Sequence, residues 1–536
     1  MSETASWIAY KRWRAPREDG EVLFDPPLAD GAALLEQNLA LRQQGDLDLA
    51  GCRLSTLRAT ARRRMLAEAR RYTAEYRDLP DSHAAPDTPL ILAGHQPELV
   101  HPGVWFKNFV LSSLVQRAAA QAVNLLIDND AVKSVGLRVP TGTAADPVAI
   151  SVDMDAQVAP IPYEERQVLD HAVFESFGAR VAAAVRPLVR HPLIGDFWPL
   201  ATTAAAAHGN LGRALAAARH TLEGRWGLST LELPLSRVCE EWAFCQFALC
   251  LLRDAARFQE IHNSALAAYR QVNRVRSHTH PVPDLLRQDD WLEVPFWLWT
   301  RTDPTRRPVF VRREASAVVI TDRRRLRIAL PVGTDEDVAR SAERMGGWRA
   351  QGIRLRPRAL ITTLYARLVL SDVFIHGIGG AKYDQLTDAI VRQFFGVEPP
   401  EYIVATATLK LPVPRRSIEL ADVARVDQML RELRYHPELY VDGDAAAQSL
   451  VAAKRRWIAQ QTLPYERRAR HAEVERINRQ LFALQQQRYK QLLVERNELR
   501  ALWRKQTILN SREYAFCLFP GETLRTRLLE LSRQEP

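Results

Sequence analysis

The chain has 536 residues, of which 47% are hydrophobic and 25% charged, and its formal net charge at pH 7 is +10. These values are typical of globular proteins and exclude a mainly disordered chain, and the length predicts several domains. The charge excess favours a solvated basic surface, with an anionic partner as the alternative.

The cysteines and the apolar runs of the sequence indicate the cellular compartment of the protein. The five cysteines are dispersed without a Cys-x-x-Cys pair, so the sequence predicts no disulfide framework and no metal site. The first 16 residues do not resemble a signal peptide, and no apolar run approaches bilayer length. We therefore expect a cytoplasmic protein with no membrane partner.

The predicted fold class is α/β, with a Rossmann-like parallel-sheet core split by a helix-rich insertion and followed by a long helical coiled-coil arm. Residues 1–85 form a mostly helical segment, and the first half of the core spans 86–160. There, Leu90–Ala93 predicts a buried strand, 104–120 a helix and 123–127 a second strand, which together make a βαβ unit.

The end of the first predicted strand carries the first candidate site. Gly94, His95 and Gln96 come directly after the apolar run, and His101 and Lys107 follow near the next helix. Ligands of open parallel sheets bind at the carboxyl ends of the strands, where polar side chains and a helix N-terminus can hold a phosphate. The alternative is that His95 caps the turn and His101 is a surface residue.

The second predicted strand ends in the acidic segment Asp128-Asn129-Asp130. Its side chains could hold a ribose, an amine or a metal ion, or they could form an ordinary turn. Asp128 and Asp130, with His95, are our candidate catalytic residues.

A connecting insertion is predicted over 161–355, with a long helix at 240–269 and strands near Val309, Val318 and Leu326. We expect it to interrupt the parallel sheet and add no strand to it. His278 and His280 form a His-x-His pair, but no third ligand is visible nearby, so we predict no zinc site.

The second half of the core spans 356–420 and contains a second glycine motif. A strand at 373–376 leads to a predicted glycine loop at 377–380 and a helix at 383–395. Glycines allow backbone N–H groups to approach an anion, although a tight turn with positive φ is the alternative. The candidate binding residues here are His376, Gly377, Gly379, Gly380, Lys382 and Tyr383.

The helical arm is predicted over 421–510, and the C-terminal tail at 511–536 is expected to pack on the core. An apolar seam with helical spacing indicates a short, imperfect coiled coil, for which we predict a homodimer. The alternative partner is the chain's own helices between 421 and 463. The seam residues are Val474, Ile477, Leu481, Leu484, Leu492, Leu499 and Leu502.

These motifs, in this order, resemble the bacillithiol-biosynthesis cysteine-adding enzymes, a family of cysteine ligases. Gly94-His95-Gln96 is similar to the Gly-Gln-Gln motif of that family, and Gly377–Gly380 with Tyr383 is similar to its Gly-Gly-Pro-Gly loop. Phe395-Gly396 and the Pro520-Gly521 turn also match in position. The chain departs from the family at His95, at Asp128–Asp130 and at Gly380.

The resemblance implies a ligase that forms an amide between an amino acid and a small amine-bearing conjugate, with ATP or ADP as the nucleotide. It also implies a split Rossmann core and an arm that pairs subunits. The alternative is a non-catalytic nucleotide- or RNA-binding module that uses the basic arm, although we expect nucleic acid not to be the partner.

Overall fold

The structure, a computed structural model, describes residues 11–79, 88–277, 279–414, 419–441, 445–461, 463 and 466–534. His278, one of the two histidines of the His-x-His pair, lies outside the described residues. The chain divides into two compact units. The core unit comprises Met1–Val139, Ile150–Leu411 and Arg512–Pro536, and the arm unit comprises Pro140–Ala149 and Pro412–Ser511.

The strands fall into three sheets. In chain order they are β1 (Val22–Asp25), β2 (Leu90–His95), β3 (Gln121–Leu126), β4 (Gly136–Gly142), β5 (Pro147–Asp153), β6 (Leu231–Pro234), β7 (Arg287–Gln288), β8 (Trp291–Thr300), β9 (Asp303–Glu314), β10 (Ala317–Thr321), β11 (Arg327–Pro331), β12 (Ile353–Pro357), β13 (Val373–His376) and β14 (Ile403–Ala407). The largest sheets are the central one, ordered β1-β14-β13-β2-β3-β6, and a second one, ordered β11-β10-β9-β8-β12 with β7 beside β8. β4 and β5 form a separate two-stranded sheet.

The central sheet is parallel except for its edge strand β1, which runs antiparallel to β14. Its parallel strands are almost wholly buried, as expected of a sheet covered on both faces. From β2 the chain builds outward through β3 to β6, and then returns to build β13 and β14 on the other side. The direction of building therefore reverses between β2 and β13, which we call the switch point.

One prediction about the composition of this sheet was wrong. The insertion does contribute a strand, because β6 pairs in parallel with β3. The N-terminal segment, for which mostly helices were predicted, also adds the edge strand β1, which pairs with β14. The strand candidates near Val309 and Val318 are β9 and β10 of the antiparallel second sheet. The candidate near Leu326 is β11 of the same sheet, which begins one residue later.

Helices cover both large sheets of the core unit. They are α1 (Gly31–Leu41), α2 (Leu54–Ala74), α3 (Pro102–Ala118), α4 (His171–Val185), α5 (Ile194–His208), α6 (Leu211–Arg225), α7 (Leu235–Val238), α8 (Trp242–Arg253), α9 (Ala255–Val272), α10 (Asp335–Gly346), α11 (Ala359–Tyr365), α12 (Ile378–Ile390) and α17 (Gly521–Leu531). In the C-terminal tail, Phe516 packs on this unit, with its ring centroid 4.3 Å from that of Trp105 and 5.1 Å from that of Phe197.

The arm unit is helical, as predicted. Its helices are α13 (Leu420–Tyr435), α14 (Ala445–Ala459), α15 (Arg467–Leu484) and α16 (Gln486–Leu509). α13 packs against α16 and α14 against α15, so the chain runs in one direction through α13 and α14 and returns through α15 and α16. Ile477 and Leu481 are buried against α14, and Leu492 against α13.

The predicted seam is therefore covered largely by the chain's own helices. Leu484, another residue of the predicted seam, is not covered in this way, because its side chain is 54% exposed at the end of α15. Among the described residues, no helix is long and apolar enough to cross a membrane.

Candidate functional site at the carboxyl edge of the parallel sheet

The strand register brings the two glycine motifs to the same edge of the central sheet. β13 pairs with β2 so that Ile375 lies opposite Ala93, which places His376 and Gly94 next to each other. β2 pairs with β3 so that His95 lies opposite Leu126, two residues before Asp128. Segments separated by almost 300 residues in the chain thus meet at one set of strand ends.

Lys107 connects the two sides of the switch point. It lies in α3, is 5% exposed, and its Nζ donates to the carbonyl oxygen of Gly94 over 2.8 Å. Its aliphatic stem lies beside Gly377, where an added Cβ would be 3.8 Å from Cδ of the lysine. Burial, reinforced by the charge of Arg219, lowers the pKa of Lys107 to about 8. The buried lysine places an ammonium group at the ends of β2 and β13.

His95 is the last residue of β2, Gln96 follows it, and their side chains face different neighbours. Nδ1 of His95 lies 3.1 Å from the carbonyl oxygen of Gln96. Burial, with the nearby charge of Lys107, lowers the pKa of His95 to about 3, so the imidazole is neutral at physiological pH. The Gln96 amide donates to Asp130 over 3.0 Å, and Asp130 also pairs with Arg306 at 2.8 Å. This bond joins the ends of β2 and β3.

His101 has a structural role in this arrangement. It is the N-cap of α3, and its Nδ1 accepts a hydrogen bond from the backbone N–H of Gly103 over 3.1 Å. Burial lowers its pKa, which keeps the ring neutral and able to accept this bond. Its other nitrogen, Nε2, faces Glu513 at 3.6 Å.

The predicted glycine loop is the first turn of a helix. Gly377 is the N-cap of α12 and Ile378 is its first residue, so the helix begins five residues earlier than predicted. Gly377 has a φ of −83°, which excludes the tight turn with positive φ at this residue. No side chain caps α12, so its first N–H groups remain for water or a ligand. Lys382 and Tyr383 lie half-buried further along this helix.

A buried network anchors His376 below this helix. Nε2 of His376 lies 2.6 Å from Oδ2 of Asp384, which is fully buried. Thr363 and Thr387 donate to Asp384 over 2.6 and 3.0 Å, and Arg367 does so over 3.0 Å. Burial alone would raise the pKa of Asp384, but His376, Arg367 and these hydrogen bonds hold it well below its ordinary value. Burial lowers the pKa of His376, against the effect of Asp384.

Gly380 is the glycine that this network requires. A Cβ at this position would lie 2.7 Å from Nδ1 of His376, closer than real Cβ contacts allow. Gly379, by contrast, is exposed, and an added Cβ there would meet no described atom within 4 Å.

Asp128 lies at the end of β3 and is 9% exposed. It accepts hydrogen bonds from the backbone N–H of Ser236 over 2.9 Å and from its hydroxyl over 2.5 Å. Burial, with the charge of Glu164, raises the pKa of Asp128 to about 7. The carboxyl group can therefore exchange a proton near neutral pH.

A cavity of about 180 Å³ opens beside Asp128, at the ends of β3 and β6. Tyr72 lines it and is 1% exposed, with Arg237 and Arg213 lying 4.8 and 5.4 Å from its ring centroid. The wall combines four guanidinium groups with three carboxyl groups. Its charged residues are Asp128, Glu164, Glu165, Arg213, Arg237, Arg349 and Arg354.

Apart from Asp128, the residues of this wall were not predicted from the sequence. Tyr72 comes from the N-terminal segment, and Arg213 and Ser236 come from the predicted insertion. None of these residues stands in a recognisable motif, and only the folded chain brings them to Asp128. Within the described ranges, no group of three or more His, Cys, Asp or Glu side chains is placed to hold a metal ion.

No protein-family model matches the chain, and no curated protein matches it.

Proposed function

We propose that this chain is a ligase built on a Rossmann-like core, and that it forms an amide between an amino acid and a small amine-bearing conjugate. Numbered along the chain, the parallel strands of the central sheet stand in the order 3-2-1-4-5, from β6 to β14. This agrees with the doubly wound order of nucleotide-binding sheets, in which ligands lie at the reversal of strand order. The resemblance to cysteine-adding enzymes supplies the reaction class.

The proposed anion site lies at the switch point. The Lys107 ammonium group and the uncapped first turn of α12 offer positive charge and free N–H donors to one phosphate or carboxylate. ATP or ADP is the proposed nucleotide. When bound, ATP would supply the phosphoryl group that activates the carboxyl group of the amino acid.

The proposed proton acceptor is Asp128. An amine attacks an activated carboxyl group only after it has lost its proton, and an acceptor with a pKa near the working pH is the most effective. The pKa of about 7 gives Asp128 this property. Gln96 and Asp130 would help to position the amine, and most of the remaining catalysis would come from orientation and electrostatics.

The observation that carries the proposal is the convergence of Lys107, Gly94 and Gly377 at the switch point. It provides an anion site where an open α/β sheet binds its ligand.

A condensation assay tests the proposal. The full chain is incubated with Mg-ATP, the proteinogenic amino acids and methyl 2-amino-2-deoxyglucoside as the amine, and mass spectrometry detects the product. We expect one amide, whose mass is the sum of the two reactants less one water, formed together with ADP and phosphate. Asp128→Asn should reduce the rate about 100-fold or more, in the range for a lost general base. Nucleotide binding without any amide would instead favour the non-catalytic nucleotide-binding module.

A further inference from the structure

The positive charge of the chain is concentrated in the second sheet. Between residues 301 and 327 the sequence has nine arginines, no lysine and only three acidic residues, an excess of six positive charges. The whole chain has a net charge of +10, so these 27 residues account for over half of it. They form β9, β10, the start of β11 and the turns between them.

The turn between β10 and β11 presents three consecutive arginines. Oδ1 of Asp322 accepts hydrogen bonds from the backbone N–H groups of Arg324, Arg325 and Leu326, each over 2.9 Å. These bonds fix the turn, and Arg323, Arg324 and Arg325 are all exposed. Within the described part of the chain, none of the three guanidinium groups forms an ion pair.

The neighbouring strands add further guanidinium groups around one indole ring. Arg312, Arg323 and Arg327 lie 4.8, 5.6 and 5.9 Å from the ring centroid of Trp291. Among the residues that the structure describes, Glu314 is the one carboxylate that pairs with members of this group, namely Arg312 and Arg327. Like charges held this close repel one another, so an added anion stabilises the cluster.

Contrary to the expectation from the sequence that nucleic acid is not a partner, we propose that this surface, formed by Arg312, Arg323, Arg324, Arg325 and Arg327 around Trp291, binds single-stranded RNA. Guanidinium groups bind phosphate oxygens in a bidentate manner, and their planar faces stack on bases. The arginines held against Trp291 are already ordered, which lowers the entropic cost of stacking. The turn exposes arginines without a large exposed apolar side chain, so it lacks the anchor of a membrane-binding surface.

The arm is the competing basic surface, and its charges are more dispersed. Arg467, Arg468 and Arg470 lie in the first turn of α15, whereas Arg476, further along this helix, pairs with Glu473. Acidic residues alternate with the arginines through α15 and α16. The turn has three consecutive arginines and the start of α15 has three within four residues, so the two regions can be compared by matched triple substitutions.

Fluorescence anisotropy of a labelled oligouridine of about 20 nucleotides, titrated with the full chain, tests the proposal. We expect affinity to fall steeply between about 50 and 200 mM salt. The variant Arg323→Ser/Arg324→Ser/Arg325→Ser should bind at least about tenfold more weakly, with a log–log salt slope shallower by about 2, as expected for three lost phosphate contacts. The variant Arg467→Ser/Arg468→Ser/Arg470→Ser should bind like the wild type.

Three results would overturn the proposal: no binding at about 50 mM salt, equal binding by the turn variant and the wild type, or an equal loss in the arm variant. Binding of polyglutamate or of phosphatidylserine vesicles as tight as that of the oligouridine would also overturn the assignment to RNA. If the triple turn variant does not fold by circular dichroism, the single variant Arg325→Ser serves instead. Its salt slope should then be shallower by about 0.7.

Discussion

At the residue scale, the absence of a side chain at Gly380 leaves room for the imidazole of His376. A methyl group at Gly380 would lie only 2.7 Å from Nδ1 of His376, so the buried imidazole would have to shift from its position beside Asp384. We expect Gly380→Ala to reduce the free energy of unfolding by ~1–3 kcal/mol, the usual cost of overpacking. Gly379→Ala, one residue earlier and with open space around it, should be neutral or slightly stabilising. Urea unfolding of both variants checks this, and equal losses would contradict it.

Asp128 makes stability depend on pH. In the unfolded chain its carboxyl ionises near 3.8, whereas in the folded protein it ionises near 7. The folded state therefore retains a proton that the unfolded state has lost, and this contribution to stability falls as pH rises from about 4 to about 7. Asp128→Asn removes the effect, so its stability relative to the wild type should be at least ~1 kcal/mol greater at about pH 8 than at about pH 5.

Chemical denaturation at the two pH values measures this difference. Asp146→Asn, at an exposed position of the arm unit, controls for the loss of one acidic residue. A relative stability of Asp128→Asn that does not change with pH would show that Asp128 is ionised throughout this range.

At the scale of elements, apolar runs in the sequence predicted the buried strands whose residues are mostly apolar. β2, β3 and β13 were found in this way. β6 was not, because Glu232 lies within its four residues and is fully buried. The carboxyl group is tolerated there because Arg219 and Asn124, from α6 and β3, bind it. Such compensation comes from distant residues, and no local pattern reveals it.

Two leucines of α15 give a prediction that a comparison of matched variants can test. Leu481 is fully buried against α14, whereas Leu484, one turn later, is 54% exposed. Leu481→Ala should cost ~2–5 kcal/mol and speed hydrogen exchange in α14 and α15. Leu484→Ala should change either quantity little. Exchange measured by mass spectrometry on the full chain compares them, and equal effects would mean that Leu484 is also buried, for instance by a second subunit.

At the scale of the whole molecule, the sequence indicated the strand-end residues of the candidate site but not its walls. His95, Asp128 and His376 follow apolar runs, so their position at the sheet edge could be inferred. Tyr72, Arg213 and Arg237 stand on helices or their flanks far from these motifs. Their approach to Asp128 depends on how the helices pack, which hydrophobic periodicity does not determine.

The homodimer remains a prediction, and the structure indicates which residues should be substituted to test it. Ile477, Leu481 and Leu492 are covered within the chain, so a second subunit would contact other residues. Leu484 and Val494 are exposed apolar residues of the arm, at 54% and 57%. We expect a dimer by sedimentation at micromolar concentration that Leu484→Glu/Val494→Glu dissociates. A monomeric wild type would contradict the prediction.

The carboxyl edge at the switch point is the proposed binding site for ATP, and calorimetric titration with Mg-ATP measures this binding. His95→Ala removes the imidazole at the end of β2, which lies near the charge of Lys107, and His191→Ala removes an exposed imidazole elsewhere as the matched control. We expect the wild type and His191→Ala to bind Mg-ATP with equal affinity, and His95→Ala to fold but to release no binding heat. Wild-type affinity in folded His95→Ala, or no binding by the wild type, would contradict it.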